Sequence, residues 1–228
     1  MISEYILLFF IYSIAGWIVE VVCKLVDKKK FINRGFLIGP YCPIYGTGAL
    51  IMTILLDKYL NDPITLFIMA MLSAAILEYI TSYLLEKIFA TRWWDYSNYK
   101  FNINGRICLE TMIPFGLFGM LIMYITNPFL FKYIELLPDL IVHILAIILL
   151  LIFITDFILS FKIIYNIKNM SKEVKKDSTE KVTKYVKDVI QKQNKLLQKR
   201  IINAFPNLKF KSYYKGKNIF KRKKKDDK

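Results

Sequence analysis

One histidine and three cysteines in 228 residues leave this chain nearly without the side chains that acid–base, metal and thiol chemistry near neutral pH require. His143 stands near one end of the last apolar run, away from the level at which the acidic residues of the runs lie, which excludes histidine-based catalysis and most zinc hydrolase designs. Cys23, Cys42 and Cys108 match no metal-binding spacing and read as buried small apolar residues facing a reducing compartment, without disulfides. No GxxxxGK[ST] loop occurs, so the chain is not its own ATPase. HExxH and DDxxD patterns are missing too. No catalytic residue, metal or cofactor is therefore expected, and the chain is not expected to be an enzyme.

Basic residues are scarce over most of the length. Positions 1–161 hold 11 Lys/Arg against 12 Asp/Glu, whereas positions 162–228 hold 22 against 6, a net of +16 in the tail alone. What fills the first part is apolar. Runs at 5–26, 36–56, 64–85, 107–131 and 140–161 each approach the ~20 residues that cross ~30 Å of hydrocarbon. The first carries Glu20 and has no basic leader or small-residue cleavage site, so it reads as a retained helix.

The spacing predicts an all-α membrane protein with five transmembrane helices, multi-pass in the cell membrane. Lysine and arginine concentrate in 24–36 and 86–106 and in the tail, which places the N-terminus outside and the C-terminus in the cytoplasm. Domain limits follow: 1–165 in the membrane, 166–205 a basic amphipathic helix, 206–228 a polybasic, disordered tail.

Glu20, Glu78, Glu110 and Asp156 lie inside the apolar runs, each about 6–12 Å from the same face at ~1.5 Å per residue. A carboxylate in hydrocarbon costs several kcal/mol, so each is expected to face protein or a watery cavity. Glu20–Lys24 and Arg106–Glu110 could be snorkelling pairs along one helix. Glu78 and Asp156 have no cation in helical reach, and Arg34 or Arg92 could serve them. The expectation is a shared polar network, whether it binds cargo or locks the bundle.

Two irregular segments border that slab. Positions 33–48 (NRGFLIGPYCPIYGTG) contain Asn33, Arg34, Gly35, Gly39, Pro40, Pro43, Tyr45, Gly46 and Gly48, a composition that breaks the second run. Broken helices of this kind line substrate sites in transporters; a merely bent helix is the alternative. Positions 92–106 (RWWDYSNYKFNINGR) interleave the interfacial aromatics Trp93, Trp94 and Tyr96 with Arg92, Asp95, Asn102, Asn104, Gly105 and Arg106. That loop is expected to close over the acids or to dock a partner.

These segments, with the turn from Gly16 and Trp17 to Glu20, the Leu77-Glu78-Tyr79 stretch up to Glu86 and the FNINGRICLE run ending at Glu110, resemble the bacterial “putative ABC-transporter type IV” permease family, also called CmpB-type. The likeness covers about 5–125. It implies an integral membrane permease served by a separate ATP-binding subunit, and it names no cargo. Because five spans make a small pore, a homodimer is expected.

In the tail, Val182, Val186, Val189, Leu196 and Leu197 recur at helical spacing, and Pro206 ends the helix. Beyond it, lysines alternate with Phe210, Tyr213, Tyr214 and Phe220, a stretch expected to adhere to anionic inner-leaflet lipid. No nucleic-acid module is recognisable, so nucleic acid is not expected as a partner. The leading function is transport of an unknown substrate through a polar inner-leaflet site. The alternatives are a non-transporting scaffold or regulator that docks partners through its loops and tail, and a membrane-embedded lipid-phosphate enzyme.

Overall fold

A computed structural model describes residues 1–29, 31–33, 35–173, 179–192, 196–205 and 208–210. The described chain is an all-α membrane protein. Four helices are long and apolar enough to cross a membrane, at Ile2–Val26, Pro63–Phe89, Leu109–Glu135 and Asp139–Asn169, with a shorter apolar helix at Pro43–Leu55. In order, the helices are α1 (Ile2–Lys28), α2 (Pro43–Leu55), α3 (Pro63–Phe89), α4 (Leu109–Leu121), α5 (Asn127–Glu135), α6 (Asp139–Glu173), α7 (Thr179–Lys192) and α8 (Leu196–Ala204). A π-helical turn at Ile122–Thr126 joins α4 to α5 as one rod. Two tiny antiparallel ribbons complete the fold. One pairs β1 (Thr91–Arg92) with β4 (Lys209–Phe210), the other β2 (Asn102–Ile103) with β3 (Ile107–Cys108).

The polarity of the bundle is inverted relative to a water-soluble protein. Ile147, Leu151, Ile154 and Ile158 of α6 are exposed while Asp156 and Ser160 of the same helix are buried. Apolar side chains outside and polar ones within is the arrangement that hydrocarbon solvent selects.

Small residues let the helices approach. A Cβ on Gly46 of α2 would collide with the Phe9 carbonyl oxygen and the Ser13 hydroxyl of α1. A backbone carbonyl inside a helix cannot move aside, so Gly46→Val should force α1 and α2 apart. The expected result is aggregated protein in place of a single peak on size-exclusion chromatography in detergent; an unchanged profile would contradict the packing.

The 36–56 run is helical only from Pro43. Pro40 and Pro43 remove amide donors, and residues before Cys42 form bends. The Cys42 amide donates to the Ser13 carbonyl at 2.8 Å, and Ser13 lies near the middle of α1. α2 therefore starts about halfway along its neighbour, and 13 residues at ~1.5 Å give it a length of roughly 20 Å. The missing turns are replaced by the irregular 35–42 segment beside α1.

The tail helices are docked. Val182, Val186 and Ile190 of α7 and Ile201 and Ile202 of α8 bury their side chains with Phe89 and Trp93 near the end of α3 and Ile164 and Ile167 of α6. Their apolar stripe thus has an intramolecular partner. α8 also reaches the broken segment: Arg200 Nη1 and Nη2 donate to the carbonyls of Gly35 and Phe36 at 3.3 and 3.4 Å. Burial pulls the Arg200 guanidinium below its ordinary value, and the nearby Asp156 carboxylate opposes that shift. Arg200→Ala should speed hydrogen exchange in 35–41 several-fold while leaving α3 unchanged. Equal protection in both proteins would show that the contact restrains nothing.

Candidate functional site

The buried acids fall into three groups. The first centres on Asp156 of α6. Its Oδ1 accepts from the Ile38 amide at 2.9 Å and the Ser160 hydroxyl at 2.8 Å; its Oδ2 accepts from the Gly39 amide at 2.7 Å and the Tyr41 hydroxyl at 2.5 Å. Four donors occupy the carboxylate; three come from the segment that replaces the first half of the second run, and Ser160 lies one turn along α6 itself. Asp156 is a clamp on irregular backbone, held by hydrogen bonds in the place where Arg34 or Arg92 could have served. Arg34 lies outside the described residues.

The second group joins α1, α2, α3 and the 92–106 loop. Tyr45 of α2 donates to Glu20 of α1 at 2.9 Å, and Tyr96 of the loop donates to Glu78 of α3 at 3.1 Å. Glu78 is buried and its Oε2 has no hydrogen-bond partner among the described residues. Tyr96 is held well above its ordinary value, first by burial and then by the charges of Glu78, Cys108 and Glu20. It therefore stays a neutral donor, and both glutamates lie within its electrostatic reach. Asn33 stands at the border of this group, accepting from Trp17 Nε1 at 2.8 Å and from the Gly35 amide at 3.0 Å. Its amide nitrogen donates to the Ile38 carbonyl at 3.3 Å.

The third group runs along the same stripe of α3. Glu78, Ser82 and Glu86 recur every four residues, so they share one face. Arg106 donates to Ser82 at 3.1 Å and to Glu86 at 2.8 Å, and its guanidinium lies 5.7 and 5.6 Å from the ring centroids of Tyr79 and Tyr83. Arg92 meets Glu86 at 3.4 Å and Asp95 at 3.3 Å. Asn104 donates to Tyr79 at 2.9 Å, and Trp94 Nε1 to the Arg106 carbonyl at 3.0 Å.

Because Tyr96 reaches Glu78 while Arg106 reaches Glu86, the loop lies back along about 12 Å of helix. Gly105 enables the fold-back. Its φ of +66° is left-handed, and a Cβ there would strike the Ser97 hydroxyl and the Asp95 carboxylate. The Gly105 amide donates to Asn102 at 3.0 Å, closing the turn of the β2–β3 ribbon.

Several expectations need correction. Glu110 is exposed and joins none of the three groups. It sits nine residues before Gly119, whose added Cβ would strike Ala70 of α3; at ~100° per residue the two positions point about 180° apart. The Arg106–Glu110 pair does not form, since Arg106 is taken by Ser82 and Glu86. Trp93 is buried among residues of the tail helices, α3 and α6, its ring centroid 4.7 Å from that of Phe205, so its ring packs on protein where a lipid-facing anchor was expected. Trp17, Trp94 and Tyr96 likewise spend their polar atoms on protein. Cys23 is exposed, whereas Cys42 and Cys108 are buried; all three are free.

Sequence reasoning passed over one polar layer altogether. Tyr12 of α1 bonds Thr126 at 2.7 Å and donates to Asn127 at 2.6 Å, and Asn127 donates to Thr53 of α2 at 2.9 Å. This layer sits at the π-helical turn, where Pro128 can supply no amide and the ladder widens to accommodate its ring. The proline inside an apolar run was the available signal. Tyr12 lies eight residues before Glu20, so the two polar layers are about 12 Å apart along α1.

Among the described residues, no group of three His, Cys, Asp or Glu side chains could hold a metal ion. A family model described as “Putative ABC-transporter type IV” matches residues 7–161. No curated protein and no solved structure matches the chain.

Proposed function

The chain belongs to the “putative ABC-transporter type IV” family, and from that premise we propose that it is the membrane permease subunit of an ABC-type transporter. The carrying observation is Glu78, a buried carboxylate with one oxygen unpartnered, in reach of a second helix's Glu20 through Tyr45 and Tyr96. A bundle that only needed locking would favour paired or apolar groups at that place. The Tyr12–Asn127 layer supplies a second polar station on the same route.

In this reading the irregular 35–42 segment and α2 together make one crossing, so the chain spans the bilayer five times. The basic loops and the tail then face the cytoplasm and the N-terminus lies outside. Without a P-loop of its own, the permease draws energy from a separate ATP-binding subunit. Two copies would give the ten crossings that a transport route of ordinary size needs. The basic tail lies next to anionic lipid.

Affinity purification of the full chain from native membranes tests this reading. A co-purifying protein with a P-loop, in near-stoichiometric amount, supports it. Recovery of a soluble regulator with no ATP-binding protein would favour the scaffold alternative, in which loss of the tail abolishes function and neutralising Glu78 does not.

A further inference from the structure

We propose that the space bounded by Glu20, Tyr45, Glu78 and Tyr96 binds a small monovalent cation of the ammonium type, with Glu78 Oε2 as its principal acceptor. As cargo, the cation rests on the permease reading; as a bound ligand, it does not.

Glu78 is 7% exposed, and no lysine or arginine pairs with it among the described residues. The other buried acid, Asp156, has both oxygens taken by donors of the chain, and Glu86 is taken by Arg92 and Arg106. Among the described buried carboxylates, Glu78 is the one with a desolvated oxygen that has no partner. Leaving such an atom bare is costly, and a ligand that carries N–H donors and positive charge removes the cost.

Backbone geometry brings the four residues together. A Cβ on Gly48 of α2 would stand 3.4 Å from Leu77 of α3, so the helices adjoin there. Tyr45 is one turn from Gly48, and Glu78 is the next residue after Leu77. Tyr45 carries the contact on to Glu20, and Tyr96 closes the other side from the loop. The other charges nearby are Arg106, one turn along the stripe at Ser82 and held by Glu86, and Lys24, one turn beyond Glu20 and itself engaged. Cys108 also lies within electrostatic reach of Tyr96.

The ligand class follows from these groups. A divalent metal takes six or more oxygens, usually with several carboxylates, and no three metal-ligating side chains converge here among the described residues. The phenol oxygens of Tyr45 and Tyr96, which donate to Glu20 and Glu78, can each still accept a hydrogen bond from an N–H donor.

The test is saturable binding of radiolabelled methylammonium to the full chain purified in detergent. The wild type should bind it, Glu78→Gln should weaken binding about tenfold or more, and Tyr96→Phe should weaken it several-fold. Sodium or magnesium at matched ionic strength should not compete. Absence of saturable binding, equal binding by Glu78→Gln, or equal competition by sodium overturns the inference. Should Glu78→Gln fail to elute as a single species, Tyr96→Phe decides, and unchanged affinity there is the overturning result. Uptake into proteoliposomes separates the two claims. With the ATP-binding subunit co-reconstituted and ATP supplied, binding without uptake leaves the cation site standing and removes the cation as cargo; uptake of another cargo without binding removes the site and leaves the permease reading.

Discussion

Asp156→Ala is expected to cost the protein much of its stability, because two consecutive backbone amides, a phenol and a serine hydroxyl lose one common acceptor. A donor left unmade costs about 1–3 kcal/mol, so the Gly39 amide and the Tyr41 hydroxyl together account for roughly 2–6 kcal/mol, while the Ile38 amide keeps a second acceptor in the Ser160 hydroxyl at 3.2 Å. That is a large share of the 5–15 kcal/mol typical of a folded domain. Asp156→Asn keeps one acceptor oxygen and should fall between. Denaturant unfolding in detergent reads the effect, with protease cleavage near 35–41 as a local check. Unfolding of Asp156→Ala at the wild-type midpoint would mean that the segment holds its shape without the clamp.

Glu78→Gln is expected to do the opposite. The glutamine carbonyl still accepts from Tyr96, so unfolding should shift by less than about 1 kcal/mol. Function should nevertheless be lost. In cells deleted for the protein, Glu78→Gln at normal abundance should behave as the deletion, with residual activity down at least tenfold for a lost charge-assisted contact. Glu110→Gln serves as the contrast: its carboxylate is exposed and apart from the three groups, and its function should be near wild type. Full complementation by Glu78→Gln would remove the route from that place. A lower abundance of Glu78→Gln would instead show that the carboxylate works as a lock.

The apolar runs mark out the long helices, three of them within about four residues at each end, because nothing but a helix satisfies its own backbone over twenty residues in hydrocarbon; α6 continues to Glu173, twelve residues past its run. The break in the second run was legible from Pro40, Pro43 and the glycines. Partners distant in sequence were not legible. Nothing around Asp156 reveals that its ligands are amides 117 and 118 positions away.

Glu110 misled because depth along a helix is readable from counting, whereas its direction depends on which face α3 covers. The tail stripe was likewise visible as amphipathic, but its cover, Phe89, Trp93 and α6, belongs to other runs. Trp93 and Tyr96 have the composition of an interfacial belt, and only the fold-back at Gly105 turns Tyr96 toward Glu78. The π-turn layer at Asn127 escaped notice because neutral polar residues raise no charge alarm.

Everything proposed for the site depends on Glu78 and Tyr96 meeting inside the bundle. A double-mutant cycle of Glu78→Gln and Tyr96→Phe on unfolding free energy measures that contact directly, with both single variants and the pair in one detergent. The account predicts a coupling of about 1 kcal/mol, as for a charge-assisted hydrogen bond between helix and loop in a membrane protein. Additive effects, within about 0.3 kcal/mol, would contradict it.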